Sequence, residues 1–163
     1  MSIRLEMYDR NKPKPDWLHI ALYEMNHCKS DNPAELLGFL KYSGIPGGID
    51  TKWFTIVAFK DNRPVGRANY IQNNSNPLNW YIGDLVVVSE FRRQKIASRM
   101  ISKGLELISS ISSGGEFIYS YIEKNNHPSI QLHESFGFTD SGEIKPFIDF
   151  IFGEDETTYI KKM

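Results

Sequence analysis

The sequence has little of what marks a secreted, membrane-spanning or zinc-binding protein. Its 163 residues contain one cysteine, Cys28, which excludes an internal disulfide framework and a multi-cysteine zinc site. No motif surrounds Cys28, so we interpret it as a structural thiol that fits a reducing cytoplasm. No run approaches the roughly 18 apolar residues that a bilayer-spanning helix needs. Residues 1–10 lack the apolar stretch of a signal peptide. We therefore expect a cytoplasmic protein.

A strong charge of either sign is also missing. The formal net charge is −1, which leaves no electrostatic footprint for nucleic acid. The four histidines include no H-x-x-x-H pair, and we expect no metal site. Hydrophobic residues make up 40% of the chain and charged residues 24%, which is a globular composition. We expect residues 1–163 to form a single domain, because the loop-like clusters leave no remainder long enough to fold alone.

Hydrophobic periodicity predicts two helices and then three strands in the first half of the chain. Helical spacing covers residues 17–26, and a second helix should begin after a cap at Asp31 or Asn32 and pass through Leu40. β-branched and aromatic residues then predict a hairpin with strands at 53–59 and 65–71. A third strand, 80–88, ends in a nearly continuous apolar run, as expected for burial on both faces.

The second half begins with the best-defined helix, residues 94–109, which carries one apolar stripe. A strand at 117–122 and a short helix at 128–136, ended by Gly137, follow it. Strands near 138–144 and 157–161 complete the chain. This order predicts an α+β domain with a mixed, mostly antiparallel sheet. Its central strand–helix–strand unit should be a parallel, right-handed crossover.

Residues 85–108 form a strand, a turn and a helix that together suit an anion. The first amides of a helix lack partners and point to one spot, with the positive end of the helix dipole behind them. The turn brings Arg92, Arg93 and Lys95 to that spot. Basic residues at a helix start are otherwise unfavourable, which suggests an anionic ligand. From the turn alone, a solvated surface cluster is an equally good interpretation.

Two motifs give the chain its resemblance to a known family, the GNAT superfamily of acyl-CoA-dependent N-acyltransferases. The family pattern Arg/Gln-x-x-Gly-x-Gly/Ala is matched by Arg92-Arg93-Gln94-Lys95-Ile96-Ala97, after a Val-x-x-x-Phe/Tyr-Arg lead-in that starts at Val87. The pattern Asn-x-x-Ala/Ser-x-x-Leu-Tyr-x-x-x-Gly-Phe is matched by the segment from Asn126 to Phe138. The resemblance covers the chain from about Trp53 to the C-terminus.

The resemblance implies a GNAT-like α+β fold with helices on both faces of the sheet and a V-shaped splay between the fourth and fifth strands. It implies an N-acetyltransferase with acetyl-CoA as acyl donor. The acceptor would be a primary amine, first of a small molecule and second a protein lysine or N-terminus. We leave a homodimer open and expect neither nucleic acid nor a membrane as partner. The cofactor-binding residues that it implies lie on the third predicted strand, at the turn and in the second motif: Leu85, Val86, Val87, Arg92, Arg93, Gln94, Lys95, Ile96, Ala97, Ser98, Asn126 and Ser129.

Two positions depart from the family pattern. Lys95 stands where the family has glycine, and a lysine forced to positive φ would cost about 1–2 kcal/mol. Either the turn tolerates an ordinary φ or the lysine compensates through a phosphate contact. His133 replaces the tyrosine that protonates the departing thiolate in the family, although phosphinothricin-type acetyltransferases have a similar Leu-His-Glu segment. A histidine can supply this proton near neutral pH, so the resemblance gives His133 that catalytic role, with a packed histidine as the alternative.

The general base and the acceptor pocket are less defined. Asp84 is the candidate side chain for the base, yet simple alternation directs it away from the face of Tyr81, Gly83, Leu85 and Val87 unless a bulge re-aims it. A water-relayed deprotonation is therefore favoured over Asp84, and Glu123 is a reserve candidate. We expect the loops at 44–48 and 73–76 to frame the acceptor pocket. The acidic run 154–156 could favour a cationic amine, but such runs are usually solvated.

Two other function classes stay open. A non-catalytic acyl-CoA-binding module is suggested by Lys95 and His133 at motif positions. The other class is a general phosphate-binding α/β protein. The sequence has no G-x-x-x-x-G-K-[ST] or G-x-G-x-x-G run, which counts against that second class.

Overall fold

A computed structural model describes residues 2–25, 31–43 and 51–163. Within these ranges the chain forms one sheet of seven strands, in the order β1-β2-β3-β4-β5-β7-β6, and four α-helices. The strands are β1 Arg4–Tyr8, β2 Trp53–Lys60, β3 Arg63–Gln72, β4 Asn79–Val87, β5 Phe117–Glu123, β6 Thr139–Asp140 and β7 Glu156–Lys162. The helices are α1 Asp16–Glu24, α2 Pro33–Ser43, α3 Ile96–Ile111 and α4 His127–Ser135, and a 3-10 turn covers Ser89–Phe91.

The sheet is antiparallel except between β4 and β5, which run parallel and are joined through α3. Their pairing begins at Asn79 opposite Phe117 and ends at Ile82 opposite Ser120. Beyond that point β4 continues to Val87 and β5 to Glu123 without pairing to each other. The predicted mixed α+β fold and the splay between the fourth and fifth strands are therefore confirmed.

The apolar stripe of α3 packs on one face of the sheet and forms the main core. Its buried residues Ile96, Met100, Ile101, Leu105 and Ile108 cluster with buried positions of β2, β3, β4 and β5. Gly104 lets the helix approach most closely, because a Cβ there would lie 2.0 Å from the ring of Tyr70. Such packing fixes the start of α3 relative to β4.

The opposite face of the sheet is covered at one end by α1. Leu18 and Leu22 are buried against Tyr8, Val57 and Phe59. This second cluster leaves the middle of that face, around Asn69 and Gly83, to polar and aromatic side chains.

The predicted hairpin between β2 and β3 is confirmed. Its two-residue turn consists of Asp61 and Asn62, which both have positive φ (50° and 64°). Aspartate and asparagine tolerate this conformation better than other side chains, and the turn matches the twist of the flanking strands.

Two strand predictions differ from the structure. The edge strand β1 was not predicted, because five residues that include Arg4 and Glu6 carry too weak an apolar pattern. The strand expected at 138–144 is reduced to Thr139–Asp140, since Gly142, with φ of 77°, interrupts the regular pairing, although Glu143 and Lys145 still bond to Thr158 of β7. In the ranges that the structure describes, no helix is long and apolar enough to cross a membrane.

Candidate active site

A cavity of about 910 Å³ opens beside β4 and the starts of α3 and α4, in the splay between β4 and β5. Every predicted cofactor-binding residue except Gln94 lines it, together with three apolar residues that the prediction did not include. The full lining is Leu85, Val86, Val87, Phe91, Arg92, Arg93, Lys95, Ile96, Ala97, Ser98, Asn126, Pro128, Ser129 and Leu132.

The turn before α3 holds two residues in the left-handed region, Arg93 with φ of 62° and Lys95 with φ of 60°. Lys95 therefore does not adopt an ordinary φ, and the first of the two possibilities raised by its departure from glycine is wrong. The amide of Arg99 donates to the carbonyl of Lys95 at 3.0 Å. Amides of the first helical turn, before that bond, have no acceptor within the helix and are available to an anion at the cavity wall.

Three cations stand at this turn. Arg92, Arg93 and Lys95 are exposed, and within the described part of the chain none of them forms an ion pair with a carboxylate. Arg92 is oriented by its Nε, which donates to the carbonyl of Val87 at 3.2 Å. Cations without counter-ions beside open helix amides fit a phosphate-bearing ligand.

The strand β4 presents an open edge to the cavity. One edge of its outer half is bonded to β3, where Val86 lies opposite Arg67 and Val87 opposite Gly66. The other edge of this half is not paired with β5, because the parallel pairing ends at Ile82. An open strand edge accepts an extended chain through main-chain hydrogen bonds.

A β-bulge changes the direction of Asp84. Asn69 lies opposite Gly83 and Arg67 opposite Val86, so Asp84 and Leu85 together face one residue of β3. Asp84 has φ of 50°. Leu85 and Val87 consequently pack against the α3 core, whereas Tyr81 and Gly83 lie on the other face. The alternation predicted for β4 is wrong beyond Gly83, and the bulge that was considered is present.

The re-aimed Asp84 ends a chain of hydrogen bonds on the face away from α3. Lys14 Nζ donates to Thr55 Oγ1 at 3.3 Å, and Thr55 Oγ1 donates to Asn69 Oδ1 at 2.7 Å. Asn69 Nδ2 then donates to Asp84 Oδ2 at 2.9 Å. Burial and, to a smaller extent, the charge of Arg67 lower the pKa of Lys14 to about 8. This chain of hydrogen bonds fixes one carboxylate oxygen of Asp84, and Asp84 as a whole is exposed.

His133 lies on α4 and does not line the cavity. Its side chain is 1% exposed, its Nε2 lies 2.9 Å from Ser120 Oγ, and its Nδ1 lies 2.7 Å from the carbonyl oxygen of Ser129. A carbonyl only accepts, so Nδ1 carries the proton and Nε2 accepts from Ser120. Burial lowers the pKa of His133, against a smaller opposite effect of the Ser129 bond. The imidazole is therefore neutral at pH 7, and its role as proton donor stays a prediction.

The second motif reaches the cavity through other residues. Asn126 caps α4, since its Oδ1 accepts from the amide of Ser129 at 3.3 Å. The hydroxyl of Ser129 lies 3.4 Å from His133 Nδ1. Asn126 and Ser129 line the cavity, so His133 contacts the lining without belonging to it.

The remaining predicted features lie elsewhere. Glu123 is exposed at the end of β5, and the loop 73–76 joins β3 to β4 at the end of β4 opposite Val87. Of the acidic run, Glu154 and Asp155 are exposed in a turn, whereas Glu156 accepts from the amide of Gly153 at 2.8 Å. The loop 44–48 and Cys28 lie outside the described residues. Among the residues that are described, no three His, Cys, Asp or Glu side chains lie together as they would to hold a metal.

Sequence reasoning missed the hydrogen-bond chain that leads to Asp84, formed by Lys14, Thr55 and Asn69, and the phenylalanines of 147–152 that pack on Tyr81. The signals were present in part. Thr55 is a polar residue within the mostly apolar strand β2, Asn69 lies in the more polar strand β3, and Phe147, Phe150 and Phe152 are three aromatic residues in a short segment.

Comparison with known proteins agrees with this geometry. Residues 7–138 match the model of the acetyltransferase (GNAT) family. No curated protein matches the chain in sequence.

Among solved structures, Escherichia coli ElaA superposes with a TM-score of 0.68 at 16% identity, covering 98% of this chain and 99% of that chain. An acyl-CoA N-acyltransferase from Pseudomonas aeruginosa has a TM-score of 0.67 at 12% identity, with 98% and 99% covered. Mutant forms of the spermidine/spermine N-acetyltransferase SpeG from Vibrio cholerae superpose with a TM-score of 0.64 at 14% identity, covering 99% of this chain and 95% of that chain. At such identities the likeness shows the fold alone.

Proposed function

The chain belongs to the GNAT acetyltransferase family, and from that premise we propose that it transfers the acetyl group of acetyl-CoA to a primary amine of a small molecule. One observation carries the proposal. The cavity in the splay combines an open strand edge with the open amides of a helix start and with cations that form no ion pair among the described residues, and these lie on one continuous wall. A long, anionic, partly peptide-like donor requires that combination.

The residues of the wall would divide the binding of the donor between them. Arg92, Arg93, Lys95 and the amides at the start of α3 suit its pyrophosphate, and the open edge of Leu85 to Val87 suits its pantetheine arm. Asn126 and Ser129 would contact the arm from α4. When bound, acetyl-CoA supplies an acetyl group already activated as a thioester.

Asp84 is the residue that we propose to prepare the amine. An amine must lose a proton to become a nucleophile, and the exposed oxygen of a fixed carboxylate can hold the ammonium and take that proton directly or through water. Asp84 has this form because Asn69 holds its other oxygen. Glu123 has no comparable support, since within the part of the chain that the structure describes its carboxylate forms no hydrogen bond or ion pair. Amides on the open edge of β4 would stabilise negative charge on the acyl oxygen.

His133 reaches the cavity through Ser129. The imidazole lies behind the hydroxyl of Ser129, at 3.4 Å, and Ser120 lies behind the imidazole. We propose that the departing thiolate receives its proton on this side from water, which regains a proton from the one that the amine releases, with His133 fixing the position of Ser129 beside it. A proton that comes from His133 itself is the second candidate.

Two measurements test the proposed function. Titration calorimetry should show that acetyl-CoA binds the protein, and absence of binding at millimolar acetyl-CoA would overturn the assignment. A thiol-release assay with a panel of primary amines should then show turnover. Binding without turnover of any small amine, peptide lysine or peptide N-terminus would identify a non-catalytic acyl-CoA-binding module instead. Turnover with peptides alone would move the acceptor to proteins.

Replacing Lys95 by glycine is expected to change stability and affinity in opposite directions. Glycine adopts φ of 60° without the steric cost to a side chain, so the protein should gain up to about 1 kcal/mol of unfolding free energy. The lost charge should weaken acetyl-CoA binding several-fold and reduce its salt dependence. Chemical denaturation and calorimetry measure the two effects.

The matched control is Lys95→Ala, which removes the same charge but keeps a Cβ at the left-handed position. It should lose as much affinity as Lys95→Gly without the gain in stability. An equal gain in both variants would show that charge repulsion at the turn, rather than the backbone conformation, is what glycine relieves.

A further inference from the structure

An aromatic surface covers the face of β4 and β5 on which Asp84 lies. We call residues 147–152, in the connection from β6 to β7, the aromatic strap. Phe147 anchors it and is 1% exposed, whereas Phe150 and Phe152 are half-buried. Their ring centroids lie 5.5 Å and 5.8 Å from that of Tyr81, and Phe152 also stacks on Tyr121 at 3.4 Å. Phe150 and Phe152 therefore keep part of their rings at the surface.

This aromatic surface begins beside Asp84. The ring of Tyr81 lies over Gly83, because a Cβ on Gly83 would be 3.0 Å from the Cε1, Cζ and hydroxyl oxygen of Tyr81. Burial, then the charges of Asp84 and Glu156, raise the pKa of Tyr81 to about 12. The phenol is thus protonated at neutral pH and lies within electrostatic range of both carboxylates. A carboxylate next to aromatic rings suits an ammonium group on an apolar body.

The other side of Asp84 is basic. Lys14 ends the hydrogen-bond chain that leads to Asp84, and the charge of Arg67 acts on Lys14. Arg67 also reaches the carbonyl of Leu22 at the end of α1, at 3.5 Å. An acceptor that extends from Asp84 in this direction with a second ammonium group would meet like charge. The charges therefore oppose a second cation on this side of Asp84, and the aromatic surface favours an acceptor whose apolar body extends over Tyr81.

We propose that the acceptor is a primary amine carried on an aromatic or flat apolar body, with its ammonium at Asp84 and its body against Tyr81, Phe150 and Phe152. The inference rests on the proposed function and specifies its substrate class. A polyamine, the kind of substrate named for SpeG, offers no apolar body to these rings, and Lys14 and Arg67 repel a second cation on their side of Asp84.

The test compares three amines in the thiol-release assay: 2-phenylethylamine, n-propylamine and spermidine. We expect kcat/KM for 2-phenylethylamine to exceed that for each of the others at least 10-fold, since each buried methylene or ring face adds to binding. Phe152→Ala should lower kcat/KM for 2-phenylethylamine about 10-fold and leave that for n-propylamine nearly unchanged. Ile151→Ala is the matched control, because Ile151 lies in the same strap and is 98% exposed.

Three results would overturn the inference: a preference for spermidine, equal use of n-propylamine and 2-phenylethylamine, or an equal loss for both amines in Phe152→Ala. Phe152→Leu keeps the apolar volume and removes the ring, so it serves if the alanine variant unfolds. It should reproduce the selective loss. If acetyl-CoA binds and no amine is acetylated, the proposed function is wrong. If amines are acetylated without a preference for the aromatic one, only this inference is wrong.

Discussion

Asp84→Asn is expected to lower kcat about 100-fold or more while leaving the dissociation constant of acetyl-CoA unchanged. A positioned general base contributes on the order of 10²–10⁴ in rate, and asparagine can neither take the amine proton nor attract the ammonium. The side chain keeps its size, tolerates φ of 50°, and can still accept from Asn69 Nδ2. Asp84 does not line the cofactor cavity, so donor binding should be unaffected.

The chain contains a matched control for this variant. Asp61 is also an exposed aspartate with φ of 50°, in the turn between β2 and β3, where its carboxylate lies 3.7 Å from Lys60 Nζ. Asp61→Asn makes the same chemical change in the same backbone conformation and should leave kcat unchanged. Steady-state kinetics for both variants, with calorimetry for acetyl-CoA, completes the comparison.

The pH dependence adds a second criterion. A primary alkylamine has a pKa near that of lysine, about 10.4, so its neutral fraction rises as the pH approaches that value. The difference in kcat between Asp84→Asn and the wild type should therefore become smaller between pH 7 and pH 9.5, because a larger fraction of the amine is already neutral and needs no base. Full activity of the variant at pH 7 would exclude Asp84 as base and return the role to water or Glu123.

The cofactor side of the site could be predicted because it is local in sequence. The open edge of β4, the basic turn and the start of α3 lie within one strand–turn–helix segment, and the apolar stripe that buries Ile96, Met100 and Ile108 is readable from its spacing. Asn126 and Ser129 belong to a second short motif. Residues close in sequence stay close in space under any global fold, so neither segment required knowledge of the sheet order.

The acceptor side could not be predicted for the opposite reason. The chain of Lys14, Thr55, Asn69 and Asp84 joins residues 41, 14 and 15 positions apart. The direction of Asp84 depends on a one-residue shift in the register of β3 and β4, which reverses every side chain beyond it. Gly83 and Asp84 permit that bulge but do not require it, so alternation was the better expectation from sequence alone.

His133 is expected to act through structure, and His133→Leu should cost about 2–3 kcal/mol of unfolding free energy. Leucine fills a similar volume but pairs with neither Ser120 nor the carbonyl of Ser129, and each buried polar group left without its partner costs on the order of 1–3 kcal/mol. Ser120 is buried, so water cannot replace the lost bond. His127→Leu, at an exposed histidine of the same helix, should stay within about 0.5 kcal/mol of the wild type.

A double-mutant cycle isolates the bond from the loss of packing. Ser120→Ala combined with His133→Leu removes both partners, so no donor is left unpaired between them. The double variant should be less destabilised than the sum of the single variants by about 1 kcal/mol, as measured by chemical denaturation. Strict additivity would mean that the contact between Ser120 and His133 does not contribute to stability.

Acid should reduce the contribution of His133 to the free energy of unfolding. Burial lowers its pKa below the reference value of about 6.5, so the unfolded chain binds a proton more readily than the folded one. Stability must then rise with pH over this interval: the contribution is complete above about pH 6.5 and declines as the pH falls towards the folded pKa. The unfolding free energy of both proteins is measured against pH. Subtracting the values of His133→Leu from those of the wild type removes the pH dependence that comes from the carboxylates and leaves that of His133.

The same variant separates a positioning role from proton donation. If His133 only holds Ser129 at the cavity wall, His133→Leu should raise the KM for acetyl-CoA, while the pH profile of kcat keeps its shape. If the imidazole donates the proton itself, kcat should fall and a limb of its pH profile should disappear. The two bonds that hold His133 neutral and away from the cavity favour the first outcome, because donation would require a proton that the buried ring binds only in acid.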